Sequence, residues 1–72
     1  MSSSLADSVE LRAQTALTSS PIYALQQIMV SHEGDQLLLS GRVSTYYHKQ
    51  LAQEAVRAVV EHVHVVNSIT VD

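Results

Sequence analysis

The sequence predicts a small α+β domain in which two helices pack on one face of a three-stranded mixed sheet, in the order α-β-β-α-β. Three observations carry this. An alternating apolar run from Gln36 to Val43 leads into an amphipathic stretch of helical period, which returns as a second alternating run ending at Val71. A strand, a helix and a strand returning to one sheet cross over right-handedly, so the two strands are parallel. Glu33-Gly34-Asp35 is a turn signal between Gln36–Val43 and an earlier apolar run, which makes that pair an antiparallel hairpin. Ahead of them, Leu5, Ala6, Val9, Ala13, Ala16 and Leu17 recur at steps of three and four, the spacing of one helix face.

The first helix is expected over about 5–17. Ser3 or Ser4 caps it, and Asp7 sets a carboxylate in its first turn, where free N–H groups and the helix dipole favour negative charge. Thr18-Ser19-Ser20-Pro21 ends it, because proline restricts its predecessor and donates no hydrogen bond. A strand follows over about 25–31, and a second over about 36–43. In the second, Leu37, Leu39 and Val43 face the core with Gly41 among them, while Leu38, Ser40 and Arg42 face away. Ser44 or Thr45 caps the second helix, expected over about 45–61. Its Ala52, Ala55, Val56, Val59 and Val60 turn inward, Leu51 lies at the border, and Gln53, Glu54, Arg57 and Glu61 stay wet. The last strand, about 64–71, places Val65, Ile69 and Val71 on one face and Val66, Ser68 and Thr70 on the other. The face of the sheet away from the helices is left open to solvent or a partner.

A chain of 72 residues is one domain, here 1–72, and at this size folding buries only roughly 60% of the unfolded surface. With no cysteine, disulfides, thiol redox chemistry and thiolate metal sites are excluded together, so the fold rests on packed Leu, Ile, Val and Ala. Seven acidic against four basic residues, a formal charge of −3, oppose contact with nucleic acid or an anionic membrane except through a local basic patch. The N-terminus lacks the basic start and apolar core of a secretory signal. As written the sequence predicts a soluble, cytoplasmic chain, and a periplasmic or envelope one if it is excised from a longer precursor. The apolar runs fall far short of the roughly 20 residues of a transmembrane helix.

There is no Gly-x-Ser-x-Gly elbow, no nucleotide-binding glycine loop and no Ser, His and Asp set, so no enzymatic activity and no cofactor are predicted. The Gly-x-x-Gly clamp of a helix-and-strand RNA platform is absent, and no nucleic-acid partner is expected. His62 and His64 project from one side of an extended segment as metal ligands do, but the sequence supplies no third ligand beside them, so no metal site is predicted. One cluster suits an anion. Arg42, Tyr46, Tyr47, His48 and Lys49 gather where a strand passes into a helix N-terminus, whose amides suit phosphate, and tyrosines suit a membrane interface. Arg42, Tyr46, Tyr47 and Lys49 are the candidate lipid or anion site. The alternative is protein association, including homo-oligomers, through Met29, Leu38 and Val66 on the open sheet face or through an unpaired edge strand.

The run Gly34-Asp35-Gln36-Leu37-Leu38-Leu39-Ser40-Gly41-Arg42-Val43-Ser44 resembles the BON domain, a small bacterial module named from osmotically induced and nodulation proteins. Lys49, Ala52 and Ala55 sit where that family places a polar residue and small alanines on its second helix, and Val65-Val66-Asn67-Ser68-Ile69-Thr70-Val71 is similar to its closing strand. The resemblance makes Gly34, Gly41 and Asn67 structural residues. It implies a noncatalytic module that binds phospholipid or tethers proteins near membranes. The chain departs from the family in one place: a glycine and an apolar residue usually precede the last strand, and here the stretch is Glu61-His62-Val63-His64. The helix before it is therefore expected to end by a different turn or under strain.

Overall fold

The computed structural model describes residues 5–72, with side chains from Val9 onward. Helix α1, Leu5–Thr18, presents Ala13 and Leu17, both fully buried, to the sheet. The expected caps Ser3 and Ser4, and the side chain of Asp7, lie outside the described residues. Gln14, next to Ala13, reaches the sheet in another way. Its Nε2 donates to the Ile28 carbonyl at 2.9 Å and its Oε1 accepts from the Val30 N–H at 3.0 Å, as a neighbouring strand would.

The segment after Pro21 corrects an expectation. Instead of a strand over 25–31, the chain makes one helical turn, α2 at Tyr23–Gln26, and the strand β1 runs Met29–Glu33. Ser20 starts the turn: its Oγ accepts from the Ile22 N–H at 3.0 Å, and its carbonyl accepts from Gln26 Nε2 at 2.8 Å. Leu25 and Ile28 are both buried, and their spacing of three is the period of a helix rather than of a strand.

β1 pairs antiparallel with β2, Gln36–Ser40, across a two-residue loop closed by Glu33 and Gln36. Gly34, at φ +61, is the first central residue of that loop and Asp35 does not share its positive φ, the pattern of a type II′ turn that glycine favours. The second expected strand is interrupted: β2 stops at Ser40, Gly41 takes φ +138, and β3 resumes at Arg42–Val43. The partner breaks likewise into β4, His64–Asn67, and β5, Thr70–Val71. Gln36 lies beside His64 and Arg42 beside Thr70 in the same parallel register, so the two pairs form one ladder bent at Gly41. The sheet order is β1-β2-β4, antiparallel then parallel, with the helices on one face.

Helix α3, Tyr46–Arg57, begins at Thr45, whose Oγ1 accepts from the His48 N–H at 3.1 Å. It ends four residues before the expected 61. Ala58 and Val59 close a tighter last turn on Glu54 and Val56, and the β-branched pair Val59-Val60 favours leaving the helix. Ala52, Val56 and Val60 are buried as the pattern requires, but Val59 is 38% exposed and Val71 37%, so neither belongs to the core. Val59 instead gives its carbonyl to Arg12 Nε at 3.1 Å, tying α1 to the end of α3. The core is completed by Leu25, Ile28, Val30, Leu37, Leu39, Val43 and Ile69, and the described part of the chain buries no polar or charged residue.

His62 stands at φ +61 where the chain turns from α3 toward β4, the left-handed conformation in which glycine is unstrained. This is the stretch in which the sequence lacks the expected glycine. Left-handed backbone costs an L-residue about 1–2 kcal/mol, and a new glycine loses about 0.4–1 kcal/mol through the unfolded chain. His62→Gly should therefore raise stability by about 0.5 kcal/mol, seen as a melting temperature about 2–4 °C higher. A lower melting temperature would mean that the His62 side chain contributes more than its backbone strain costs.

Candidate functional site

The four lipid candidates lie around the end of the domain where β3 passes into α3. Tyr46 and Tyr47 open the helix and are each 67% exposed. No acidic residue sits in that first turn, so the positive end of the helix dipole is left uncompensated by its own side chains. Tyr46 and Lys49, three apart on the helix, lie on one stripe; Tyr47 turns to another flank, its ring centroid 5.8 Å from that of His48. Arg42 alternates with buried Val43, so it points to the open face of the sheet, away from α3. There it is largely exposed and stands 3.8 Å from Asp72, which offsets part of its charge. The structure thus brings Tyr46 to Lys49 and sets Arg42 on the opposite layer. His48 Nδ1 is enclosed there without a hydrogen-bond partner among the described residues.

The protein-association candidates share one face. Leu38 lies beside Ser31 on one side and Val66 on the other, and Met29 beside Ser40. Leu38 and Val66 are half-buried and Met29 is 62% exposed, amid Ser31, Glu33, Gln36, Ser40 and His64. The apolar patch is three residues wide on an otherwise polar surface.

Of the structural candidates, Asn67 has the most partners. Its Nδ2 donates to the Lys49 carbonyl at 3.0 Å and to Gln53 Oε1 at 3.1 Å, while its Oδ1 accepts from the Ile69 N–H at 3.2 Å. It binds the bend between β4 and β5 to the flank of α3. At Gly41 an added Cβ would meet the Gln27 carbonyl at 3.4 Å, an ordinary contact, so the backbone angle rather than crowding calls for glycine.

His62 Nε2 lies 3.8 Å from Glu61 Oε1 with both side chains exposed, and no group of three or more His, Cys, Asp or Glu suited to a metal occurs among the described residues. No described helix is long and apolar enough to cross a membrane. Two features of the structure have no local signal in the sequence. Gln14 closes part of the β1 edge, and Lys49, Gln53 and Arg57 form a polar stripe along β4. The i, i+4, i+8 spacing of that stripe is visible in the sequence, but its neighbour across space is not.

Comparison with curated proteins finds no match to this chain. A family model does match, described as the BON domain and covering residues 6–72. With the mixed sheet, its two covering helices and the bend at Gly41, that match over nearly the whole chain places this protein in the BON domain family, whose character is that of a binding module.

Proposed function

We propose that this domain attaches to anionic membrane surfaces through the end at which β3 passes into α3, with Arg42, Tyr46, Tyr47 and Lys49 meeting the headgroups. The observation that carries this is the pair of tyrosines, two-thirds exposed, at a helix N-terminus with no carboxylate in its first turn. Such rings cover apolar area at headgroup depth while their hydroxyls stay wet, and free amides with nearby cations attract phosphate. Candidates spread over two layers at one end of the domain fit docking on a plane better than capture of a soluble ligand. Protein association through Met29, Leu38 and Val66 is the second reading, supported by the register that sets Leu38 against Val66.

Co-sedimentation with phosphatidylglycerol-containing and neutral phosphatidylcholine vesicles tests the first. Binding is expected only to the anionic vesicles and should weaken with salt. Each cation near such a surface contributes about 1 kcal/mol, so Arg42→Glu with Lys49→Glu should lower partitioning at least about tenfold. Leu38→Glu should leave it unchanged. Loss on Leu38→Glu with retention in the double variant would move attachment to the open sheet face.

A further inference from the structure

The two edges of the sheet are not equivalent. On β1, the Ile28 carbonyl and the Val30 N–H, which an added strand would need, are already held by Gln14. On the other side β4 has one strand neighbour among the described residues. The N–H groups of His64, Ser68 and Thr70 donate to the carbonyls of Asp35, Leu39 and Gly41, each at 2.9 Å. Alternation along a parallel strand then directs the main-chain groups of Val65 and Asn67 outward. The next outward N–H, that of Ile69, is occupied by Asn67 Oδ1. The free stretch of edge is therefore short and begins at Val65.

Helix α3 runs beside that edge. Asn67 reaches the Lys49 carbonyl and Gln53 Oε1, while Arg57 joins Val60, Val63, His64 and Val65 around a cavity of about 380 Å³ at the start of β4. Lys49, Gln53 and Arg57, four residues apart in turn, make a stripe that holds two of the four basic residues of the chain and no carboxylate. Glu61, which also lines the cavity, and Asp35, whose carbonyl accepts from the His64 N–H, bound the edge at its first residue. Two copies paired antiparallel along β4 would set these stripes head to tail, Lys49 of each facing Arg57 of the other across Gln53, and like charges would oppose the dimer.

We propose that the free edge of β4 takes an extended acidic peptide segment of another protein by strand addition. Val65 and Asn67 supply the main-chain hydrogen bonds, and Lys49 and Arg57 face the acidic side chains. Main-chain pairing supplies affinity in such complexes and the flanking charges supply selectivity. This site is separate from the membrane-facing end except for Lys49, so the test leaves Lys49 untouched.

The probe is a fluorescein-labelled eight-residue peptide of alternating valine and glutamate, with its valine and lysine counterpart as control. The acidic peptide should bind saturably and shift the amide resonances of Val65 and Asn67, and the lysine peptide should not bind. Val65→Pro removes an outward N–H without breaking a bond to β2, a place where edge strands tolerate proline, and should weaken binding at least tenfold. Arg57→Glu should weaken it to a similar degree. If Val65→Pro does not fold, Arg57→Glu decides alone. Unchanged affinity in Arg57→Glu, shifts confined to β1, no binding at all, or a salt-resistant dimer with protected β4 amides would each overturn the proposal. Vesicle binding should survive both substitutions, which separates failure here from failure of the membrane reading.

Discussion

Leu39→Ala should cost about 3 kcal/mol or more. Leu39 is fully buried at the centre of the sheet, beside Val30 of β1 and Asn67 of β4. Removing a buried leucine loses the transfer energy of its carbons and leaves a cavity that a close-packed interior fills only in part, typically about 2–5 kcal/mol in sum. A domain of this size has roughly 4–11 kcal/mol in total. The melting temperature should therefore fall by about 12–24 °C, using about 4–8 °C per kcal/mol for a domain this small. Calorimetry or urea unfolding followed by circular dichroism measures it. A loss below about 1 kcal/mol would show that the site collapses around the smaller side chain and that the central strand is not the keystone of the core.

The second large effect is expected at Asn67. Replacing it with alanine removes three hydrogen bonds at once and leaves the Ile69 N–H without its acceptor at a partly buried bend. An unsatisfied buried group costs about 1–3 kcal/mol, so Asn67→Ala should lose about 2 kcal/mol, with the β4 to β5 bend and its junction with α3 the first parts to open. Gln53→Ala, which breaks only the side-chain contact, should lose far less. Amide hydrogen exchange separates the two outcomes: faster exchange at Ile69 and Thr70 is expected in Asn67→Ala and not in Gln53→Ala. Equal losses in both variants would shift the weight of the interaction from the main chain to Gln53.

The sheet was legible because its information is local. Leu37 and Leu39 alternate with Leu38 and Ser40, and the structure buries the first pair and half-exposes or exposes the second. The second helix was legible for the same reason in its middle, where Ala52 and Val56 recur four apart. Its end was not. Val59 and Val60 continue the apolar pattern, but only Val60 is buried, because the helix stops at Arg57 and the chain turns left-handed at His62. The segment after Pro21 misled for a related reason: Leu25, Ile28 and Val30 fit a strand or a turn followed by a strand, and short apolar runs do not separate those periods.

The candidate sites divide in the same way. Arg42, Tyr46, Tyr47 and Lys49 are close in sequence, and their common end of the domain follows from that. Their division between two layers does not, because it depends on which residue of β3 turns inward. Gln14 and the β4 edge were invisible, since each involves partners distant along the chain: Gln14 with Val30, and Asn67 with Lys49.

The sequence by itself determined the α+β class, the parallel return of the last strand, the burial of Leu37, Leu39 and Val43 in the second strand, and membership of a binding-module family. These rest on hydrophobic period, turn chemistry and the handedness of the crossover, all of which act over a few residues or on the chain as a whole. Only the tertiary structure decided that the ladder bends at Gly41, that Gln14 occupies part of one sheet edge while among the described residues a short stretch of the other has no strand beside it, and that a cationic stripe of α3 lies beside that stretch. Those features depend on side chains meeting main-chain groups far away in sequence, and no local preference of either partner specifies the meeting.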